Sequence, residues 1–535
     1  MNRNRGHATA VDGGPADPAG LPAPDAADSL DPNFATRFAF LLDTGSNPAD
    51  RLPEGDASVK AGVLAVLDAL GAATVADTDE SGFTSIPPIF TYFGQFIDHD
   101  MTANTDREEG SKVEADGATL AVKNREEAAA LRNRRHPSLR LDSVYGHVVG
   151  AKDRLPLADA MRAGPKMRVG ELFPVVGSMP VGGLRRDLPR FDALLRSGVV
   201  DKETFGNVPG YTALIGDPRN EENTLIGQLH CSFLRFHNAV VDWLAIEEPS
   251  LKGEALFDRA RELTVAHYQW VVVREYLDLV GDPGIVAEIL DNEASVYRDR
   301  RKEVKEDFMP LEFSVAAFRF GHTMVRPIVN LNGARDKVPF IENFVYTGHA
   351  RPEVGEHVFA ATDHRLPSDR AIDFTRFVTC DFQTARPIDT RLAPPLSNLI
   401  FAPPSKVLRH LAIRNLRRGY VLALPTGQAA ARGLGVPVLS PADVRADLTI
   451  PTDAFDWTER TPLWFYLLRE AEVAGGGNRL GALGTRLVAE TIIGALGADK
   501  DSILNRGWTP KDGVRAKGGT RVKSLADMLQ FAGVL

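Results

Sequence analysis

Phe93-Gly94-Gln95-Phe96-Ile97-Asp98-His99-Asp100 puts an amide, two carboxylates and an imidazole on one short stretch. Wound as a helix, Gln95, Asp98 and His99 fall at i, i+3 and i+4 and share a face. That convergence is unusual for a surface that only packs. Gly216-Asp217-Pro218-Arg219-Asn220-Glu221-Glu222-Asn223 repeats the geometry with Arg219 and Glu222 at i, i+3. Ala317-Phe318-Arg319-Phe320-Gly321-His322-Thr323 repeats it again with Arg319 and His322. Singly, each has an ordinary reading. A helical histidine is usually a packed or surface one, an Asp–His neighbour pair is an ion pair, and Arg219 with Glu222 is a solvated salt bridge worth little.

Outward from these stretches the signal is helical. Val59, Val63, Val66 and Leu70 recur at helical spacing, with Gly71 as the expected stop. Leu225, Leu229, Phe233, Phe236, Val240 and Leu244 form a second stripe. A third helix is predicted from Thr264 to Val280, stopped by Gly281-Asp282-Pro283. Two more are predicted over Pro462 to Val473 and Thr485 to Leu496. Strand-like alternation is scarce, and connections such as Arg386 to Pro404 are long and Pro-rich. Residues 1–33, rich in Pro, Ala, Gly and Asp, are expected to be a disordered tail. No linker stands out after residue 34. The expected fold class is therefore mainly α: a single large helical domain over 34–535, with long irregular loops and little β structure.

Composition narrows the function classes. Hydrophobic residues at 44% and charged residues at 25% suit a globular protein with a sizeable core. A formal net charge of -9 speaks against a nucleic-acid partner. Cys231 and Cys380 are too few for a disulfide framework and are expected to be free thiols. No stretch reads as a membrane span, since Asp68 interrupts Val59 to Leu70. Two arginines open the chain without a hydrophobic region behind them, so no conventional signal peptide is expected. A cytoplasmic or non-classically secreted protein is the expectation.

Taken together and in order, the stretches resemble the animal-type haem peroxidases of the peroxidase–cyclooxygenase superfamily, in particular a bacterial-like version of the myeloperoxidase catalytic domain. Gly94-Gln95 through Asp98-His99-Asp100 resembles the segment above the haem. Leu141 to Gly146 resembles a calcium loop, and Arg219 with Glu222 resembles a catalytic arginine and a haem-linking glutamate. Arg319 to His322 resembles the proximal segment, Asn415 to Gly419 with Leu424-Pro425 the segment supporting it, and Gly475 to Glu490 the last core helices.

The resemblance implies a fold, a cofactor and a chemistry. Haem b would be held by a neutral imidazole, the role it gives His322, whose second ring nitrogen needs an acceptor. The position aligned with the family's asparagine is Gln428. His99 would move the peroxide proton as base and then acid, Arg219 would stabilise developing negative charge, and Gln95 would orient peroxide. A ferryl haem would then oxidise small donors, in keeping with a role in the response to oxidative stress. Arg319 would pair with a haem propionate. Asp98 and Glu222 would form ester links, and Asn223, standing for a sulfonium-forming methionine, would form none.

Calcium is where the residues depart from the pattern. Asp100 and Asp142 fit a site, but His136 replaces a threonine and Arg140 an acceptor, whereas calcium takes six to eight oxygen ligands. The expectation is a metal-free Asp100–Arg140 ion pair, with a weaker calcium site on Asp100 and Asp142 as the alternative.

Other classes fit less well. A fatty-acid dioxygenase of the same superfamily needs a tyrosine where Arg319 stands. A haem-binding or adhesive protein without turnover would be expected to lack Gln95, His99 and Arg219. Gly475-Gly476-Gly477 through Gly481 invites a nucleotide reading, but it follows a helix, whereas a dinucleotide fingerprint must follow a strand. His230 and His237, at i, i+7, read as packing more readily than as metal ligands.

Overall fold

A computed structural model of the chain describes residues 36–76, 82–103, 113–146, 158–344, 347, 364–399, 402 and 405–535. The expected tail lies outside the described residues, as do parts of the Arg386 to Pro404 connection.

The architecture is mainly α. The site rests on the helices Ile89–Met101, Thr224–Glu247, Gly253–Val271, Leu411–Val421 and Leu463–Gly475, and on the short turns between them. Strands are two to four residues long. Thr36–Ala39 runs antiparallel to Arg132–Asn133 and parallel to Phe308–Pro310, with Arg37 opposite Phe308 and Ala39 opposite Pro310. Just beyond this pairing, the Glu312 carboxylate accepts from the amides of Leu41 at 2.8 Å and Leu42 at 3.2 Å. One continuous hydrophobic cluster reaches from Phe38 to Val534.

The helices start where side chains satisfy the open amides of a first turn. Asp56 accepts from the amides of Ser58 and Val59 at the head of Ala57–Ala73. Asn223 accepts from Ile226 N at the head of Thr224–Glu247, where all six residues of the predicted stripe are buried. Gly71 does not stop the first helix, which runs on to Ala73. A Cβ at Gly71 would lie 2.5 Å from Ile413 Cγ1, so this glycine lets Leu411–Val421 approach.

The third predicted helix begins eleven residues early, at Gly253 rather than Thr264. Its first part, Gly-Glu-Ala-Leu-Phe-Asp-Arg-Ala-Arg-Glu-Leu, is charged, but it buries Leu256, Phe257, Ala260 and Leu263 at helical spacing. It then passes through one π turn, Val272–Tyr276, before Leu277–Val280. Farther on, Leu463–Gly475 ends with Gly476 and Gly477 at φ 57° and 77°, a glycine helix stop.

An aromatic stack fixes the Ile89–Met101 helix. Phe96 stacks on Phe233 at 4.6 Å between centroids, and Phe93 meets Tyr268 and Tyr276 edge-on at 6.0 and 5.8 Å. Such pairs add about 0.5–1.5 kcal/mol each beyond their burial.

Two glycines give a test by opposite signs. Gly497 has nothing within 4 Å of a built Cβ, so Gly497→Ala should be neutral or stabilise by about 0.4–1 kcal/mol. Gly71→Ala should destabilise by about 1–3 kcal/mol through overpacking against Ile413. Thermal unfolding of the two variants checks this; equal shifts would refute the close helix contact.

Candidate active site

The Ile89–Met101 helix, the π turn at Tyr276 and the Ala317–His322 3-10 turn surround a cleft with about 650 Å³ of atom-free space, part of it open to solvent. Its wall is largely apolar, with Phe318, Phe340, Phe344, Leu396 and Leu411. Gln95, Asp98, Glu222, Asn223, Arg319 and His322 add polar groups from three distant stretches. An apolar pocket with a few convergent polar groups is the usual form of a cofactor site.

On the Ile89–Met101 helix, Gln95 and Asp98 line the cleft, while His99, which the spacing put on the same face, does not. Gln95 Nε2 donates to Glu222 Oε1 at 3.1 Å, and Asn223 Nδ2 donates to Gln95 Oε1 at 3.4 Å. Thr102 donates its hydroxyl to Asp98 Oδ1 at 2.9 Å. Gly94 is small for a reason: its Cβ would lie 2.4 Å from the Tyr276 hydroxyl. The π turn thus delivers Tyr276 to the cleft wall, a common use of such turns. Burial pushes the Tyr276 phenol far above its ordinary pKa, and the Asp98 charge adds to the shift.

His99 is fully buried just beyond that wall. Its Nδ1 lies 2.9 Å from Asn220 Oδ1, and its Nε2 is buried with no hydrogen-bond partner among the described residues. Burial, with the Arg219 cation adding to it, lowers its pKa to about 3, so the ring is neutral.

Arg219 does not line the cleft. It lies behind His99, donating through one terminal nitrogen to His99 O at 3.0 Å and Thr102 O at 2.7 Å, and pairing with Asp217 at 2.8 Å. The sequence put Arg219 and Glu222 on a helix; the turn is a 3-10 helix, Pro218–Glu221, with Glu222 as its cap. Burial works against the Arg219 charge, but Asp217 more than restores it, leaving the pKa above its ordinary value. Burial alone would raise the Asp217 pKa; Arg219 and Arg135 hold it well below the carboxylate range.

His322 and Arg319 line the cleft together. The partner of His322 is Asn415, whose amide meets Nδ1 at 2.9 Å. This corrects the expectation for Gln428. Gln428 donates to Thr458 O at 2.8 Å and Thr461 Oγ1 at 2.7 Å and accepts from Thr461 N at 2.9 Å, so its amide is spent on its own loop. Arg319 donates to Ser314 O at 2.9 Å and to Asn415 Oδ1 at 3.4 Å, and Trp464 Nε1 donates to Arg319 O at 3.2 Å. As placed, Asn415 turns its Nδ2 donor toward His322 Nδ1 and its Oδ1 toward Arg319; ligation of a metal through His322 Nε2 would need that amide turned over, so that Oδ1 accepts from Nδ1–H.

The expected Asp100–Arg140 ion pair does not form. Arg140 Nε pairs with Asp499 at 2.9 Å. Asp100 instead accepts from the amides of Leu141 at 2.9 Å and Ser143 at 3.1 Å and from the Ser143 hydroxyl at 3.2 Å. Leu139 and Leu141 carry φ of 55° and 58°, a conformation costly for bulky residues, so the loop presents its amides to the carboxylate under constraint. Burial, then the Asp142 charge, raise the Asp100 pKa. His136 Nδ1 lies 2.7 Å from Ser138 Oγ. Among the described residues no group of three or more His, Cys, Asp or Glu is placed to hold a metal ion.

Sequence reasoning missed Asn220, His230, Asn415 in its actual role, and Tyr276. Cys231 is buried and Cys380 exposed, both free. His237 is packed between the Tyr145 hydroxyl at 2.9 Å and Pro165 O at 3.0 Å.

Residues 177–447 match the sequence profile of the Animal haem peroxidase domain. The chain belongs to the animal haem peroxidase family.

Mouse myeloperoxidase is 30% identical over 144 residues, 27% of this chain and 19% of that protein. Dual oxidase of Drosophila melanogaster is 32% identical over 114 residues, 21% and 7%. A peroxidase-like protein of Margaritifera margaritifera is 26% identical over 264 residues, 45% and 32%. The chain thus spans less than a third of these relatives' lengths. Peroxidase A from Dictyostelium discoideum shares the fold, with a TM-score of 0.61 at 16% identity over 94% of this chain and 93% of that one. Oryza sativa fatty acid alpha-dioxygenase gives 0.50 at 14% identity over 87% and 75%.

The correction from Gln428 to Asn415 has a direct test. Asn415→Leu should shift the haem absorption spectrum and make the haem labile, a loss of about tenfold or more in retention. Gln428→Leu should lower the unfolding temperature while leaving the spectrum of bound haem unchanged. The reverse pattern would return the role to Gln428.

Proposed function

We propose that this chain is a haem peroxidase that reduces hydrogen peroxide and oxidises small donor molecules. The observation that carries the reading is one cleft where His322, tethered through Nδ1, meets the Gln95–Glu222–Asn223 cluster and Asp98, whose chain neighbour His99 is buried with Nε2 unpartnered among the described residues.

The residues present fit a haem. His322 would ligate iron through Nε2, Arg319 is a cation on the cleft wall for a propionate, and the aromatic wall would cover the macrocycle. Bound haem would supply the iron and the electrons that cleave the peroxide O–O bond. The chain supplies proton handling. His99, neutral and desolvated, accepts a proton from one peroxide oxygen and returns it to the other. Gln95, held by Glu222 and Asn223, orients the peroxide. Arg219 and Asp217 fix the backbone of His99, and the Arg219 cation favours negative charge developing nearby. Residues 34–535 are read as one domain, a reading the continuous core supports.

Fatty-acid oxygenation is the second reading. Arg319 occupies the position of the radical-forming tyrosine, which counts against it. Tyr92 and Tyr276 on the cleft wall count in its favour. Oxygen uptake with a long-chain fatty acid, absent while peroxide-dependent oxidation of a phenol proceeds, separates the two. Among the described residues no helix is long and apolar enough to cross a membrane.

His322→Ala should abolish stoichiometric haem binding, read as the haem-to-protein ratio after desalting. His99→Ala should keep haem and slow the stopped-flow reaction with peroxide by roughly a hundredfold or more. A full haem complement in the first variant, or a normal rate in the second, would overturn the respective assignment.

Asp98 and Glu222, both on the cleft wall, are proposed to form ester links to haem during peroxide turnover. Haem should then resist extraction into acidic organic solvent, and Asp98→Asn with Glu222→Gln should release it. Complete extraction from the peroxide-treated parent protein would refute the links.

A further inference from the structure

Three buried side chains from three elements form a line of which the proposed reaction uses only His99. His99 stands on Ile89–Met101, Asn220 in the Pro218–Glu221 turn and His230 on Thr224–Glu247. All three are 0% exposed. His99 Nδ1 lies 2.9 Å from Asn220 Oδ1, and Asn220 Nδ2 lies 3.0 Å from His230 Nδ1. The outer atoms of the line, Nε2 of His99 and Nε2 of His230, are buried without a hydrogen-bond partner among the described residues.

A neutral imidazole donates from one nitrogen and accepts at the other, and an amide does the same from its two ends. The line therefore has only two self-consistent proton arrangements. In one, His99 Nδ1–H donates to Asn220 Oδ1 and Asn220 Nδ2–H donates to His230 Nδ1. The lone pair of His99 is then on Nε2, and His230 carries its proton on Nε2. In the other, every donor and acceptor is reversed and His99 has no lone pair at Nε2. Burial lowers both histidines to a pKa of about 3, so both enter the line neutral. The anchor points do not drift: Asn220 N donates to Asp217 O at 3.0 Å, and Arg219 holds His99 O.

We propose that Asn220, with Oδ1 toward His99 and Nδ2 toward His230, is a positioning residue that locks His99 in the Nδ1–H tautomer and keeps the Nε2 lone pair ready for the peroxide proton. The proposal rests on His99 being the base of the proposed reaction. Asn220 supplies the acceptor through Oδ1, while its Nδ2 faces His230 Nδ1. A wrong tautomer at a catalytic histidine leaves geometry intact and removes the base.

The test uses the haem-loaded protein and two readouts. Cyanide association with the ferric haem needs a base for the proton of hydrogen cyanide but involves no turnover. Histidine-labelled nitrogen NMR of the diamagnetic ferrous carbonyl form reads the tautomer, with the His99 signals identified by their loss in His99→Gln. In the parent protein His99 should be protonated at Nδ1. Asn220→Leu, which offers neither donor nor acceptor, should slow both cyanide association and the peroxide reaction by roughly tenfold or more at unchanged haem content. Asn220→Asp, which keeps an acceptor for His99 Nδ1, should recover most of that loss. A His99 protonated at Nε2, parent-like rates in Asn220→Leu, or an Asn220→Asp variant as slow as Asn220→Leu would each overturn the proposal. Should Asn220→Leu fail to fold, the parent spectrum and the Asn220→Asp rates decide alone. A His99→Gln protein that binds cyanide at the parent rate would instead remove His99 as base, and the lock with it, an outcome visible in that variant before Asn220 is touched.

Discussion

A single carboxylate taken out of water, Asp217, governs the polar side of the cleft. It accepts from the amide and guanidinium of Arg219 and pairs with Arg135. Breaking a buried pair by removing one partner typically costs about 3–5 kcal/mol, because the other charge is left behind. The three groups therefore stay together, and everything attached to them is placed. Arg219 grips His99 O and Thr102 O; the turn that carries Asp217 also carries Asn220, which meets the His99 ring. Gln95 then needs only the neighbouring Glu222 and Asn223 to be oriented. The position of the candidate base follows from an ion cluster that never touches the cleft.

The two histidines of the site are held by different means. His99 is sealed, and desolvation with a nearby cation disfavours its charged form. His322 lies on the cleft wall, where Asn415 engages one ring nitrogen and Arg319 in turn engages the Asn415 amide. One ring is suited to passing a proton and the other to holding a metal, although both are the same side chain.

Much of this is legible in the sequence. Helical spacing alone put Gln95, Asp98 and His99 on one face and Arg319 with His322 on another; Gln95, Asp98, Arg319 and His322 line the cleft, while His99 is buried outside its lining. The stripe from Leu225 to Leu244 needed no tertiary information, since its period is the helix's own. What failed was non-local. Asn415 and Gln428 are thirteen positions apart, and only the packing of Leu411–Val421 decides which amide meets a histidine 93 residues away. Arg140 found Asp499 rather than Asp100 because a pair 359 residues apart leaves no local trace. Asn220 looked like an ordinary turn residue, and its two histidine partners lie 121 residues before and 10 after it. The charged opening of the Gly253–Val271 helix hid a regular apolar period among Asp, Arg and Glu.

The parallel pairing of Thr36–Ala39 with Phe308–Pro310 sets a clock on biosynthesis. The Leu42 amide waits for Glu312, 270 residues downstream. At ribosomal rates of about 5–20 residues per second, that is roughly 15–50 s during which Phe38 and Phe40 have no finished core to enter. His99 emerges long before His322, and His322 before Asn415. The nascent chain therefore passes through a long interval of exposed aromatic surface in which no cofactor can be gripped from both sides. The amino-terminal third is the part whose aromatic surface stays exposed longest during synthesis.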